Sequence, residues 1–229
     1  MNAPPPSPRG VFETIRVRNG QTPLLSRHAA RLATACQALG VPQPEPPLER
    51  LVAPWLGAGD LMVRVEAGLQ GPTVTTRPVP PVAPLAVIVA PTRHVPYPFK
   101  VSARSAFEAA QSEARAAGAD DALLVTGSGL VAEGTVWSIF WWEGDRLTTP
   151  PLSLGVLPGV GRARALELEP AVERERTPAE LAGLSAFAIN AVRGVVPITR
   201  LAGEAVPGDP RTARLAERFW PDGRHGRRT

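Results

Sequence analysis

Lysine, cysteine and tyrosine each occur once among the 229 residues, at Lys100, Cys36 and Tyr97. A single cysteine excludes an intramolecular disulfide framework and fits a reducing compartment. Cys36 falls inside a helical pattern, so it reads as a small core residue rather than a nucleophile. No apolar run approaches the roughly 20 residues that a membrane-spanning helix needs. Met1 to Arg9 is proline-rich and has no apolar core, so no secretory signal is read there. No sequence repeat is present, and nothing groups histidine, cysteine and carboxylates for a metal. These absences predict a cytoplasmic protein without a membrane segment.

What remains is ordinary for a folded domain: 44% hydrophobic and 20% charged residues, enough for one large domain or two small ones. The 27 prolines are dispersed and read as rigid loops. A pI near 10.4 raises the question of nucleic acid, but the net charge is only +4. The single basic cluster, Arg224-His225-Gly226-Arg227-Arg228, reads as a solvated terminus. Nucleic-acid binding is therefore not expected.

The rarity of lysine is informative because the other 24 cationic side chains are all arginine. The count alone leaves two readings. One is a compositional bias with a leftover lysine. The other is a position that needs an amine able to lose its proton and attack a carbonyl, which guanidinium cannot do.

Along the chain, Val11 to Val17 alternates polar and apolar residues and meets Asn19-Gly20, which predicts a strand entering a hairpin. Ser26 is expected to cap a helix to Leu39, closed by Gly40, with Ala30, Leu32, Ala33, Cys36 and Leu39 on its apolar face. A second helix is predicted over Pro47 to Leu56 and a strand over Leu61 to Val65, with Met62 and Arg64 on one face. The proline-rich stretch ending at Pro84 reads as a linker. Domains are expected over residues 1–77 and 85–229, joined by 78–84, with Lys100 in the second.

Further strands are predicted at Leu85 to Val89, Asp121 to Val125, Leu130 to Glu133, Trp137 to Trp142, Arg146 to Thr149 and Ala186 to Ile189. Helices are predicted from about Ala103 to Ala117, from Pro158-Gly159 to Glu169, over Pro178 to Gly183, and over Pro210 to Phe219. Strands and helices intermix without βαβ regularity, an α+β pattern in two lobes.

Six segments stand in one order: Phe12-Glu13-Thr14-Ile15-Arg16, His28-Ala29-Ala30-Arg31-Leu32, Lys100-Val101-Ser102-Ala103-Arg104, Val131-Ala132-Glu133-Gly134, Leu157-Pro158-Gly159-Val160-Gly161-Arg162, and Asn190-Ala191-Val192 with Val196-Pro197-Ile198. Together they resemble the fold-type IV pyridoxal-phosphate family. That family includes branched-chain aminotransferases, D-amino-acid aminotransferases and 4-amino-4-deoxychorismate lyase. The resemblance implies a small N-terminal α/β lobe, a larger β-rich C-terminal lobe with helices, pyridoxal 5'-phosphate in the cleft between them, and a homodimer.

It further implies that Lys100 holds the cofactor aldehyde and is the base for the substrate α-proton. Glu133 would pair with the pyridine nitrogen, as an electron sink requires. Val160 and Gly161 would offer backbone N–H groups to the phosphate, as helix starts do. Arg31 would supply the cation. Asn190 would lie near the phosphate, and Thr14 would assist proton transfer. Asn190-Ala191 followed by Pro197 is similar to the lyase form, as is the short chain. The expected reaction is thus release of pyruvate from 4-amino-4-deoxychorismate to leave 4-aminobenzoate, a folate precursor.

There are departures from the family pattern. The segment before Phe12 is short. Met62 stands where relatives carry a basic residue, and Ala67-Gly68 replaces an Arg-Gly pair. Arg64 is the candidate stand-in for binding a substrate carboxylate. The alternatives are an amino-acid aminotransferase of the same family and a non-catalytic binding protein on this scaffold.

Overall fold

A computed structural model describes residues 10–221. The readings of Met1–Arg9 and of the Arg224–Arg228 cluster lie outside the described residues. The architecture is α+β, and the chain divides into two compact units. One comprises residues up to Val79 together with Phe99–Arg104. The other comprises Pro80–Pro98 and residues from Ser105 onward.

In the first unit, β1 (Val11–Val17), β2 (Leu61–Ala67) and β3 (Thr73–Pro78) form an antiparallel sheet in that order. Helices α1 (Leu25–Leu39) and α2 (Leu48–Val52) complete it. Alternation along β1 sends Val11, Ile15 and Val17 into a core shared with Leu32, Ala35 and Cys36 of α1 and with Val63 and Val65 of β2. The Asn19-Gly20 turn forms with positive φ at both residues. Its return limb is a single bridge, Arg18 to Gln21, after which α1 begins, so the long partner of β1 is β2. Helix α1 starts one residue before Ser26 and has no side-chain cap. Its buried face is His28, Leu32, Ala35 and Cys36, while Ala30 is exposed, correcting the expected stripe. Gly40 closes the helix in the left-handed conformation, with its N–H on the Cys36 carbonyl.

The expected assignment of Lys100 to the second domain is also corrected, because backbone pairing fixes its place. The outer edge of β1 takes up residues 100–102: Phe12 N–H donates to Lys100 O (2.9 Å), Val11 bridges Val101, and Ser102 N–H donates to Gly10 O (3.0 Å). Ser102 Oγ also hydrogen-bonds the Glu66 carboxylate of β2. Strand β3 was not anticipated, since its threonines and Pro78 lack an apolar phase.

The second unit is built on a nine-stranded sheet among the described residues. It contains β4 (Leu85–Arg93), β5 (Asp121–Val125), β6 (Val131–Gly134), β7 (Ser138–Glu143), β8 (Arg146–Thr149), β9 (Ala171–Glu173), β10 (Ser185–Asn190), β11 (Gly194–Leu201) and β12 (Glu204–Ala205). The order is β6-β5-β4-β11-β10-β7-β8-β9, with β12 on β11. The β4–β5, β4–β11 and β8–β9 pairs are parallel and the others antiparallel. Strand β4 outruns the predicted Val89 because Pro91 sits where the pairing with β5 shifts register, a position that tolerates a missing donor. Helix α3 (Ser105–Ala116) lies against β4 and β5. Helices α4 (Val160–Leu168) and α5 (Pro210–Phe219) contact each other, and they meet β10 and β11 respectively. Trp141, Trp137, Leu123, Ala188 and Val196 anchor the core. No helix among the described residues is long and apolar enough to cross a membrane.

Candidate active site

Each unit carries one cluster of functional groups. In the first, Lys100 follows Pro98-Phe99 and is held by the edge of β1. Its side chain is half-buried, and Nζ lies 4.6 Å from the centroid of the Phe12 ring. The Arg64 guanidinium carbon lies 3.5 Å from that same centroid. Lost hydration is the largest influence on the amine. Arg31 acts in the same direction, as do Arg104 and Arg64, while Glu13 opposes them. The result is a pKa lowered from the usual 10.5 to about 7.

Phe12, Thr14 and Arg16 share the sheet face opposite to Glu13. Thr14 is half-buried on that face and stands in register with Arg64 of β2. Arg64 donates to Glu66 Oε2 (2.8 Å), and Glu66 also receives the Ser102 hydroxyl.

On the other face, Glu13 occupies the buried phase of β1 and accepts three bonds from α1: His28 Nδ1 (2.7 Å), Arg31 Nε (2.7 Å) and Arg31 Nη2 (2.6 Å). Burial raises the carboxyl pKa, but the Arg31 charge and the donated bonds outweigh that effect and bring it to about 2. Burial lowers His28 below its ordinary range, so it is neutral near pH 7. The sequence reading gave Glu13 no role. The available signal was a carboxylate in the apolar phase of an alternating strand, with His28, Arg31 and Leu32 spaced to face it from one helix side.

In the second unit, Glu133 is buried on β6. Its Oε1 accepts from Leu157 N–H (3.1 Å) and lies 3.0 Å from His94 Nε2. His94 is buried in turn, held by its own N–H on Val125 O (2.7 Å) and edge-on to Phe107. The sequence left His94 and Tyr97 without a role. Tyr97 packs its ring 4.7 Å from that of Phe107, and its N–H donates to Gly155 O (2.7 Å).

Helix α4 starts at Val160 after Gly159, with no side chain capping its first amides. Val160 and Gly161 are both buried there. A Cβ on Gly161 would come within 2.8 Å of Asn190 C and 2.9 Å of its Cα, so only glycine fits. Asn190 turns its side chain onto its own loop: Oδ1 accepts from Val192 N–H (2.9 Å) and Arg193 N–H (2.7 Å).

The first cluster thus presents a near-neutral amine beside guanidinium groups, and the second a buried carboxylate and uncapped helix amides. Taken separately, the amine of the first suits an aldehyde, and the carboxylate and amides of the second suit a heterocyclic nitrogen and a phosphate.

Comparison with known proteins gives the same direction. The family model "Amino-transferase class IV" matches residues 10–201. Aminodeoxychorismate lyase of Bacillus subtilis (strain 168) is 32% identical over 87 residues, a stretch covering 35% of this chain and 30% of that protein's length. A branched-chain aminotransferase from Thermoproteus uzoniensis, solved with norvaline, is 25% identical with a TM-score of 0.80, over 92% of this chain and 84% of its own. A hypothetical aminotransferase from Mycobacterium tuberculosis in its PLP-bound form has a TM-score of 0.82 at 21% identity, over 96% and 92% of the two chains, which speaks to the fold.

Proposed function

The chain belongs to the class IV aminotransferases, a pyridoxal-phosphate-dependent family, and from that premise we propose that it is the lyase that converts 4-amino-4-deoxychorismate to 4-aminobenzoate and pyruvate. The observation that carries the pyridoxal-phosphate reading is the only lysine, Lys100, half-buried with its amine lowered to about 7. At neutral pH a large share of such an amine carries no proton, so it can join an aldehyde and accept a substrate α-proton. The cofactor, when bound, supplies an electron sink for the carbon that loses that proton.

This chain's residues then divide the work. On this reading Arg31 would bind the phosphate, as would the N–H groups of Val160 and Gly161. Glu133, steadied through Oε1 by Leu157 N–H and His94, would pair with the ring nitrogen. Lys100 Nζ takes the α-proton and later returns one. Thr14 and Arg64 share the sheet face that carries Phe12, where Thr14 assists proton transfer and Arg64 pairs with a substrate carboxylate. Loss of the α-proton with cleavage of the ring C–O bond expels enolpyruvate and aromatises the ring, and protonation of enolpyruvate gives pyruvate, so the chain need provide little beyond a proton acceptor and a proton donor.

The choice of lyase is supported by the Asn190-Ala191 pair against Gly161, which leaves neither position a hydroxyl, and by the similarity to the Bacillus subtilis lyase. A second reading, an amino-acid aminotransferase, is favoured by the likeness to the Thermoproteus uzoniensis enzyme over most of the chain. The test is to incubate the pyridoxal-phosphate-loaded protein with 4-amino-4-deoxychorismate and follow pyruvate. Pyruvate release that is lost in Lys100→Ala supports the lyase. Transfer from a branched-chain or D-amino acid to a keto acid, without pyruvate release, selects the second reading. A protein that develops no visible cofactor absorbance removes both.

A further inference from the structure

Arg31 is the residue that the His-x-x-Arg motif singles out, yet the most enclosed polar group touching it is Glu13. The side chains of Glu13 and His28 are 1% exposed and that of Arg31 is 14% exposed, so Arg31 is the member of the trio that opens toward solvent. Arg31 engages Glu13 side-on, with Nε on Oε1 (2.7 Å) and Nη2 on Oε2 (2.6 Å), which fixes the plane of the guanidinium. His28 Nδ1 meets Oε2 at 2.7 Å. An ionised carboxylate can only accept, so Nδ1 carries the proton of this neutral imidazole, and Nε2 faces the interior with no partner. Lys100 also feels this carboxylate, as a charge. An apolar replacement of a buried ion pair is often no less stable than the pair itself. A carboxylate kept in the apolar phase of β1 therefore points to a task for its charge and geometry.

We propose that Glu13 is a positioning residue, which, held by His28, orients the Arg31 guanidinium for the cofactor's phosphate. The proposal rests on the reading that Arg31 holds that phosphate. Glu13 itself touches neither cofactor nor substrate in this role. It acts through Arg31, so its loss must be felt in proportion to what the phosphate contributes.

The test compares apparent dissociation constants for pyridoxal phosphate and for pyridoxal, which lacks the phosphate. They are read by visible absorbance in the wild type, Glu13→Gln and Arg31→Ala, with circular dichroism confirming folding. The wild type is expected to prefer the phosphorylated ligand strongly, and Arg31→Ala to reduce that preference. In Glu13→Gln the preference is expected to fall about tenfold or more, with pyridoxal affinity unchanged. Parallel loss of both affinities, as a general structural role would give, overturns the proposal, and so does no change in either. Should Glu13→Gln fail to fold, Glu13→Asp decides: it keeps the charge but withdraws it, and an unaltered preference overturns the proposal. If the wild type favours the phosphorylated ligand and Arg31→Ala leaves that preference intact, this inference is overturned while the cofactor reading stands. If the wild type binds neither ligand, the cofactor reading fails and takes the inference with it.

Discussion

Phe12 holds Lys100 twice: its backbone N–H donates to the Lys100 carbonyl at 2.9 Å, and its ring centroid lies 4.6 Å from the Lys100 amine. The amine is thereby placed over an aromatic face, with Arg31, Arg104 and Arg64 as the cations lowering its pKa. Because the chain has one lysine, the carbon next to its amine gives one NMR signal in lysine-labelled protein. That signal is expected to titrate with a midpoint of about 7 in the cofactor-free protein. Arg104→Met removes a cation and should move the midpoint upward. A midpoint near the ordinary lysine value of 10.5 would refute the electrostatic account of the site.

The same shift makes cofactor-free stability depend on pH, with a definite sign. Between about 7 and 10.5 the unfolded chain binds the Lys100 proton and the folded chain does not. Stability attributable to this group therefore rises with pH across that window and is flat below it. Lys100→Met removes the group from both states. The difference in unfolding free energy, Lys100→Met minus wild type, should shrink from pH 7 to pH 10. A difference that stays constant would contradict the depressed amine.

Much of this arrangement could be read from residue order alone, and the limits have physical causes. Lys100, Glu133 and Gly161 can be singled out as candidates because each is a residue type in a short motif. The local strand β1 and the Gly40 stop of α1 follow from period and turn chemistry. Lys100 was assigned to the wrong unit because the pairing of residues 100–102 with β1 joins segments far apart in sequence, which no local pattern reports. Strands β3 and β11 escaped for another reason. Thr73–Pro78 has no buried phase, and Pro197 interrupts Gly194–Leu201, so tertiary pairing overrides weak local preference. The bonds that Asn190 Oδ1 accepts from Val192 N–H and Arg193 N–H depend on the turn's geometry, which residue order alone does not report.

Gly161 is tested by the smallest possible addition. An alanine Cβ would stand 2.8 Å from Asn190 C and 3.1 Å from Ala191 N, contacts that backbone atoms cannot relieve by rotation. Either the start of α4 or the 190–191 turn must move. Gly161→Ala is expected to lose about 1–3 kcal/mol of stability in chemical unfolding and to weaken pyridoxal phosphate more than pyridoxal. Full stability in this variant would mean that α4 accommodates the methyl group, and the account of Gly161 as a close-approach position would fall.

Asn190 stabilises the turn that Gly161 abuts, and two substitutions separate its acceptor from its donor. Oδ1 receives Val192 N–H and Arg193 N–H, while Nδ2 reaches Val136 O only at 3.4 Å. Asn190→Asp keeps an acceptor for both amides. Asn190→Ala removes this acceptor from both, and two such bonds are together worth about 1–3 kcal/mol. The alanine variant should therefore melt at a lower temperature than wild type, with the aspartate variant close to wild type. Since the first turn of α4 lies against the Asn190 backbone, the alanine variant should also weaken pyridoxal phosphate binding, and the aspartate variant much less. If alanine leaves the melting temperature unchanged yet cofactor affinity falls, Asn190 contributes through direct contact with the phosphate rather than through its turn. Equal destabilisation by both substitutions would instead locate its contribution in the Nδ2 donor, against the geometry of the Oδ1 bonds.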